Sequence, residues 1–256
     1  MSTETPPPWD TDPLSRYFAE AEYNDRVTAF SFPTVFALLQ AANSALELVE
    51  KAVEHDGEQV LLIPRFLIVR FRSSYLASIR LAMSGQIPES FALLRSAIEQ
   101  AWYALHIARD PNPTSRAEIW LKRNDGPSEK AACKKEFTVK NVRTTHEACD
   151  QATADQLREV YETSIDFGAH PNQMGMLISM AHEKNPNQIN YEVGILHPDT
   201  VPMLGALRLS VAVVIGALKI FQLVYPAKLA ATPVQDRIGQ LIKDINSVFK
   251  PWAGQI

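Results

Sequence analysis

The sequence predicts an all-α protein that folds as a single-domain helical bundle, and three observations lead to this prediction. Apolar residues recur with the spacing of amphipathic helices along most of the chain. Only 10 glycines and few alternating runs of β-branched residues leave little room for a sheet. Prolines and glycines fall mainly between the periodic segments, where helices begin and end.

Composition narrows the class of protein further. The chain has 256 residues, enough for one large core, and its 46% apolar and 21% charged residues are ordinary for a soluble globular protein. A net charge of −4 argues against nucleic-acid binding over the whole surface. The two cysteines, Cys133 and Cys149, provide no disulfide framework, so a reducing, cytoplasmic location is expected.

The first half of the chain is expected to form four helices after a disordered arm. Consecutive prolines at 6–8 prevent helix formation in residues 1–12, and the helical domain then covers 13–256. Gly85 and Pro88 mark a short turn, so the third and fourth helices should pack as a central antiparallel hairpin at about 59–109. The four helices are predicted at 13–30, 33–55, 59–84 (or 64–84) and 88–109.

The second half is expected to be helical except for one segment. Capping-box spacings from Ser115 to Glu118 and from Thr153 to Gln156 predict two helix starts, and Gly168 predicts the end of the second helix. A small irregular or hairpin segment is expected near 187–196. Further helices are predicted at 127–150, 171–182, 199–225 and 232–248.

The helix at 199–225 is strongly apolar. Its longest run without a charged residue, between Arg208 and Lys219, is ten residues long, whereas a membrane span needs about 20. It is therefore predicted to be a buried core helix, and no membrane partner is expected. An uncovered apolar face on this helix would favour a homodimer.

Polar residues form one stripe on the fourth helix, which is otherwise apolar nearly all round. The stripe consists of Arg95, Glu99, Trp102 and His106. A helix of this composition is central, so the stripe should face an interior cavity or a neighbouring helix with matching polar groups. The alternative is an Arg95–Glu99 pair that satisfies itself within the helix.

Arginines on the third helix lack acidic neighbours on the same helix. Arg65, Arg72 and Arg80 are spaced seven and eight residues apart and share one face. They should therefore find anions elsewhere, and the candidates are Glu99, Asp166, a phosphate-bearing ligand or a partner subunit. The alternative is that they extend to solvent from a half-buried helix.

A third group of polar residues brackets the expected helix end at Gly168. It contains Tyr161, Asp166, His170 and Asn172. Because His170 precedes a proline, its imidazole should lie at a loop corner, where it could act as an acid or base or tie the loop down. The sequence has no metal-ligand spacing, nucleotide-binding glycine motif or nucleophile motif, so no metal and no cofactor is expected.

The segment SYLASIRLAMSGQIPESFALLRSAIEQAWYALHIARDP resembles the core of uncharacterised bacterial helical proteins of unknown function. In that group a Gly-x-x-x-Glu turn, here 85–89, precedes a Leu-Leu-Arg-x-x-x-Glu signature, here 93–99, and a His-Pro element follows, here 170–171. These proteins are similar to HEPN-like helical bundles, many of which are RNA-cleaving toxins or nucleotide-binding domains. The resemblance covers roughly 60–225 and implies a helical fold with a nucleotide or RNA as ligand. The closely spaced Arg and His of the HEPN ribonucleases are not found here, so their activity does not carry over by motif.

Three functions are compatible with these residues. The first is binding of an anionic ligand, a nucleotide or RNA; the second is a structural or oligomerisation bundle whose ion network fixes the helix register. The third is a metal-independent ribonuclease, a toxin or defence protein, acting through Arg95 and His170. The predicted binding residues are Arg72, Arg80, Arg95, Glu99, His106, Tyr161, Asp166, His170 and Asn172.

Overall fold

The computed structural model describes residues 11–54, 61–112, 114–169, 173–178, 180–185, 188–196 and 200–255. Most of them lie in helices, and the predicted all-α class is confirmed. The helices are α1 Pro13–Ser31, α2 Pro33–Val53, α3 Leu62–Ser84, α4 Ile87–Ala108, α5 Ser115–Leu121, α6 Pro127–Glu136, α7 Val139–Cys149, α8 Gln151–Ser164, α9 Gln173–Ile178, α10 Thr200–Val224, α11 Pro226–Ala230 and α12 Val234–Val248. Short 3-10 turns follow at Lys122–Asn124 and Lys250–Trp252.

A short turn joins α3 to α4, as the positions of Gly85 and Pro88 predict. Gly85 ends α3 in the left-handed conformation, with φ of 94°, which glycine adopts without steric cost. Two hydrogen bonds then tie the helices together, from Ser78 Oγ to the Ser90 carbonyl (2.9 Å) and from Gln100 Nε2 to Ser74 Oγ (3.1 Å). The earlier α3 residue, Ser74, pairs with the later α4 residue, Gln100, so the two helices are antiparallel.

Helix α10 lies in the core, as its composition predicts. It packs against α2, α3, α4, α8 and α12, and the Phe221 ring meets Phe71 edge to face at 5.4 Å. Within the described ranges it is the one unbroken helix long and apolar enough to cross a membrane, and 67% of its most apolar window is buried in the bundle. The chain itself therefore covers about two thirds of this window.

Several predicted boundaries differ from the structure. The helix expected at 127–150 is broken into α6 and α7, because the Phe137 side chain is buried and Thr138 caps α7 by accepting a hydrogen bond from the Asn141 amide (3.1 Å). The hairpin expected near 187–196 is an antiparallel pair, β1 Met180–Asn185 with β2 Gln188–Val193, and so begins earlier. The helix expected at 171–182 is correspondingly shortened to α9.

Gly168 does not end α8, contrary to the prediction. The helix continues into a π-helical turn, Ile165–Ala169, which places the Phe167 ring 5.5 Å from Phe91 of α4. A Cβ on Gly168 would lie 1.9 Å from the carbonyl oxygen of Pro88, so only glycine allows this close approach. The glycine therefore permits packing of the π-helical turn on α4.

Helix α1 lies on the surface of the bundle. It meets α2 at a bend of 103° and crosses the C-terminal end of α3. Thr28 Oγ1 donates a hydrogen bond to the Met83 carbonyl (2.9 Å), and Asn24 Nδ2 donates one to the Ser84 carbonyl (3.1 Å). On α1 itself only Ser15 and Ala21 are buried, so most of this helix faces solvent.

Candidate functional site

Three predicted site residues meet on α4 and α8. Arg95 Nε donates to Glu99 Oε1 (3.0 Å) and to the Tyr161 hydroxyl oxygen (3.1 Å), and the Tyr161 hydroxyl donates to Glu99 Oε1 (2.8 Å). The Arg95 guanidinium also lies over the Tyr161 ring, 5.2 Å from its centre. Burial, followed by the hydrogen bond to Glu99, raises the pKa of Tyr161 to about 12. The Arg95–Glu99 pair thus forms within α4, as one of the two predicted alternatives states. It also binds Tyr161 of α8.

Trp102, one turn further along α4, binds a histidine. Its ring lies 5.0 Å from that of Tyr161, and its Nε1 donates to His146 Nδ1 of α7 (3.2 Å). Both side chains are fully buried. Burial lowers the pKa of His146 to about 4, so the imidazole is neutral, with Nδ1 as the acceptor and the proton on Nε2. That Nε2 has no hydrogen-bond partner in the described part of the chain.

His106 extends the same row towards α6. Its Nδ1 lies 2.7 Å from Thr145 Oγ1 of α7, and its Nε2 lies 3.1 Å from Glu136 Oε1 at the end of α6. Arg116 of α5 binds the same Glu136 oxygen (2.8 Å) and also the His106 carbonyl (2.8 Å). Burial and then the charge of Arg116 lower the pKa of His106.

The polar stripe of α4 therefore faces neighbouring helices that carry matching polar groups, which is one of the two arrangements the sequence predicts. We call this row the polar seam. It joins α4 to α5, α6, α7 and α8. Its members are Arg95, Glu99, Trp102, His106, Arg116, Glu136, His146 and Tyr161.

Two of the three α3 arginines find carboxylates on other helices, whereas Arg65 donates to the Glu54 carbonyl at the end of α2 (2.8 Å). Arg72 binds Glu47 (2.5 Å) and Glu50 (2.8 Å) of α2, and Arg80 binds Asp25 of α1 (3.3 Å). These carboxylates come from neighbouring helices of the same chain, whereas the sequence suggested Glu99, Asp166, a phosphate-bearing ligand or a partner subunit. Neither Arg72 nor Arg80 joins the polar seam, since their partners lie on α2 and α1.

The remaining predicted binding residues do not complete a pocket around Arg95. Asp166 is exposed on the π-helical turn, and among the described residues it has no ion pair or hydrogen bond to the polar seam. His170 and Asn172 lie outside the described residues. Of the nine predicted residues, the structure brings Arg95, Glu99 and Tyr161 into contact and places His106 further along the same seam.

Sequence reasoning missed the partners of this stripe. Glu136 and His146 lie 30 or more residues from their partners on α4, Arg116 lies on the next helix, and nothing in the local pattern of α4 identifies any of them. The sequence held one weak signal for His146, since it follows Val142 by four residues and so shares a face with it on a helix. An apolar and an imidazole side chain at this spacing indicate a buried face on an otherwise polar helix.

A second surface feature is an exposed apolar region on α1 and α3. Nine of the 15 large hydrophobic side chains that are exposed within the described ranges lie on these two helices. We call this region the α1–α3 face. It comprises Leu14, Phe18, Tyr23, Val27 and Phe30 of α1 with Leu62, Phe66, Val69 and Leu76 of α3.

The chemistry open to the polar seam is limited by its pairing. The charges of Arg95, Arg116 and Glu136 are each matched within the seam, and the two histidines are buried. In the described part of the chain, no three His, Cys, Asp or Glu side chains come together as metal ligands. No family model, curated protein or solved structure matches this chain.

Proposed function

We propose that this protein works as a helical assembly module that binds a second copy of itself through the α1–α3 face. The exposed apolar surface of that face is the observation that carries the proposal. Phe30 is 88% exposed, Tyr23 64% and Phe66 54%, whereas Phe71, Tyr75 and Trp102 of the core are fully buried. Exposed aromatic and aliphatic side chains on two helices that pack against each other are typical of protein–protein contacts.

The spacing on α3 favours a helical partner. Exposed positions 62, 66, 69, 73, 76 and 80 alternate by four and three residues, which is the spacing of a coiled-coil seam. Four of the six are large and apolar, and the other two are Ser73 and Arg80. In an antiparallel pair with its two-fold axis between Val69 and Ser73, Phe66 would lie opposite Leu76 of the second copy, so the stripe complements itself.

The composition of the face fits a homodimer. Aromatic residues and arginine are the types enriched in such interfaces, and α3 supplies Arg65 and Arg70 beside the stripe and Arg80 within it.

The polar seam supports the proposed dimer in a different way. Its arginines already pair with carboxylates of the same chain. The seam therefore fixes the position of α4 relative to α5–α8. Because α3 is hydrogen-bonded to α4, fixing α4 in this way also keeps α3 in place. A rigid, preformed face loses little conformational entropy when a second copy binds.

A charge on the α1–α3 face is expected to separate the copies. The wild-type chain should sediment as a dimer, whereas Phe66→Glu and Leu76→Glu should each sediment as monomers, because a carboxylate would be buried unpaired. Leu121→Glu is the matched control, since Leu121 is 59% exposed on α5 and lies outside the face. Sedimentation velocity over a concentration series measures the change, and circular dichroism checks that each variant is folded. A monomeric wild type, or a dimer that survives both substitutions, would refute the proposal.

Binding of an anionic ligand at Arg95 is a second candidate, favoured by one observation. The side chains of Arg95 and Glu99 stay 24% and 31% exposed, so an anion could reach the guanidinium and displace Glu99. A nucleotide or short RNA should then raise the melting temperature of the wild type and not of Arg95→Gln, with a loss at high salt. No shift with either ligand in the wild type would leave the seam a purely structural network.

A further inference from the structure

An apolar cavity of about 310 Å³ lies between α4, the π-helical turn and α10. The rings of Phe91 and Phe167 line it together with Ile178 of α9 and five α10 residues, Val201, Pro202, Gly205, Ala206 and Leu209. Its size is at the lower end of ligand pockets, and its lining is almost entirely apolar. The fixed approach of Gly168 to Pro88 holds the Phe167 side of the cavity in place.

A basic cavity of about 220 Å³ lies beside it, between α10 and the C-terminal segment. Arg208 and Lys250 line it, together with Asn246 of α12. Arg208 is half-buried, yet neither it nor Lys250 has a carboxylate partner within the described ranges. Arg72, Arg95 and Arg116, which are buried to a similar degree, all have one.

The two cavities are neighbours. Leu209 of the apolar cavity follows Arg208 of the basic cavity along α10, and Gln255 of the first follows Gly254 of the second. We propose that together they bind a single-chain anionic amphiphile of the fatty-acid type, with its alkyl chain along Phe91 and Phe167 and its carboxylate at Arg208 and Lys250. This site is separate from the α1–α3 face and does not depend on the assembly role.

The chemistry of each half selects one end of the ligand. An apolar cavity lined by aromatic and small aliphatic groups favours an alkyl chain, because water inside it would find few hydrogen-bond partners. A half-buried guanidinium without a counterion favours a carboxylate, which it can bind through two parallel hydrogen bonds. The combined site therefore prefers an amphiphile over a free inorganic anion or a neutral alkane.

Binding can be tested with monomeric decanoate, measured by isothermal titration on the full-length protein. Decanol and inorganic phosphate serve as probes of the chain and the head group alone. Arg208→Gln is expected to weaken decanoate binding by about tenfold or more, the loss typical of one charge-assisted hydrogen bond. Binding of decanol should be weak and should not change in that variant. Lys243→Gln, on the exposed surface of α12, is the matched charge-loss control and should bind decanoate like the wild type.

A second variant tests the apolar half. Gly205→Leu would place a side chain in the cavity and should abolish binding of both decanoate and decanol. If the Gly205→Leu chain does not fold, the Arg208→Gln comparison still tests the proposal. The proposal is overturned by equal loss in Arg208→Gln and Lys243→Gln, by phosphate binding as well as decanoate, or by decanol binding as tightly as decanoate. Binding to vesicles of phosphatidylcholine with phosphatidylglycerol, without binding of monomeric decanoate, would overturn it in favour of a membrane surface.

Discussion

Replacing Trp102 with alanine is expected to lower the free energy of unfolding by about 3–5 kcal/mol, the range for removing a buried tryptophan. Trp102 is fully buried, its ring packs on Tyr161 at 5.0 Å, and its Nε1 is the donor to His146. The substitution would open a cavity at the centre of the polar seam and leave His146 Nδ1 without its donor. Chemical denaturation of the wild type and the variant, followed by far-UV circular dichroism, measures the change.

Two further variants separate packing from hydrogen bonding at this position. Trp102→Phe keeps most of the apolar volume and loses only the Nε1 donor, so it should cost about 1–3 kcal/mol, the penalty for an unsatisfied buried acceptor. Trp120→Ala is the matched control, since Trp120 of α5 is only partly buried and should cost less. A Trp102→Ala variant no less stable than Trp120→Ala would show that the seam does not hold the bundle together.

Acid is expected to destabilise the fold by about 3 kcal/mol through His146 alone. Burial lowers the pKa of His146 from its ordinary 6.5 to about 4. Above pH 6.5 the imidazole is neutral in both states, so the stability is fully present. As the pH falls from 6.5 towards 4, the unfolded chain binds a proton that the folded chain does not, and each pH unit costs about 1.4 kcal/mol. Protonation in the folded state would also put a hydrogen on Nδ1, facing the Trp102 N–H.

The measurement is the free energy of unfolding between pH 7 and pH 4 for the wild type and for His146→Gln. Glutamine can accept the Trp102 hydrogen bond and does not titrate, so its stability should fall less steeply over that range. Burial also lowers the pKa of His106, which acts in the same direction and remains in both proteins. The difference between the two curves therefore isolates His146, and parallel curves would contradict its role.

The local elements were largely predictable from the sequence. The turn at Gly85 and the apolar composition of α10 follow from short-range rules on turn chemistry and apolar content, and both are found as expected. The break at Phe137 and the π-helical turn at Gly168 were not predictable in this way, because both depend on contacts with other helices. Phe137 is buried against His106 and Tyr103, and Gly168 packs on the Pro88 carbonyl.

The candidate site, like the local elements, was predictable from the sequence only in part. The sequence alone placed Arg95, Glu99, Trp102 and His106 on one face of a central helix, since helical periodicity fixes which side chains share a face. Only the tertiary structure decided what that face meets: Tyr161, His146 and Glu136, from three helices distant in the chain. The same holds for the arginines of α3, whose shared face was predictable and whose carboxylates on α1 and α2 were not. Periodicity is a property of one helix, whereas pairing depends on how helices pack, and packing is set by the whole core.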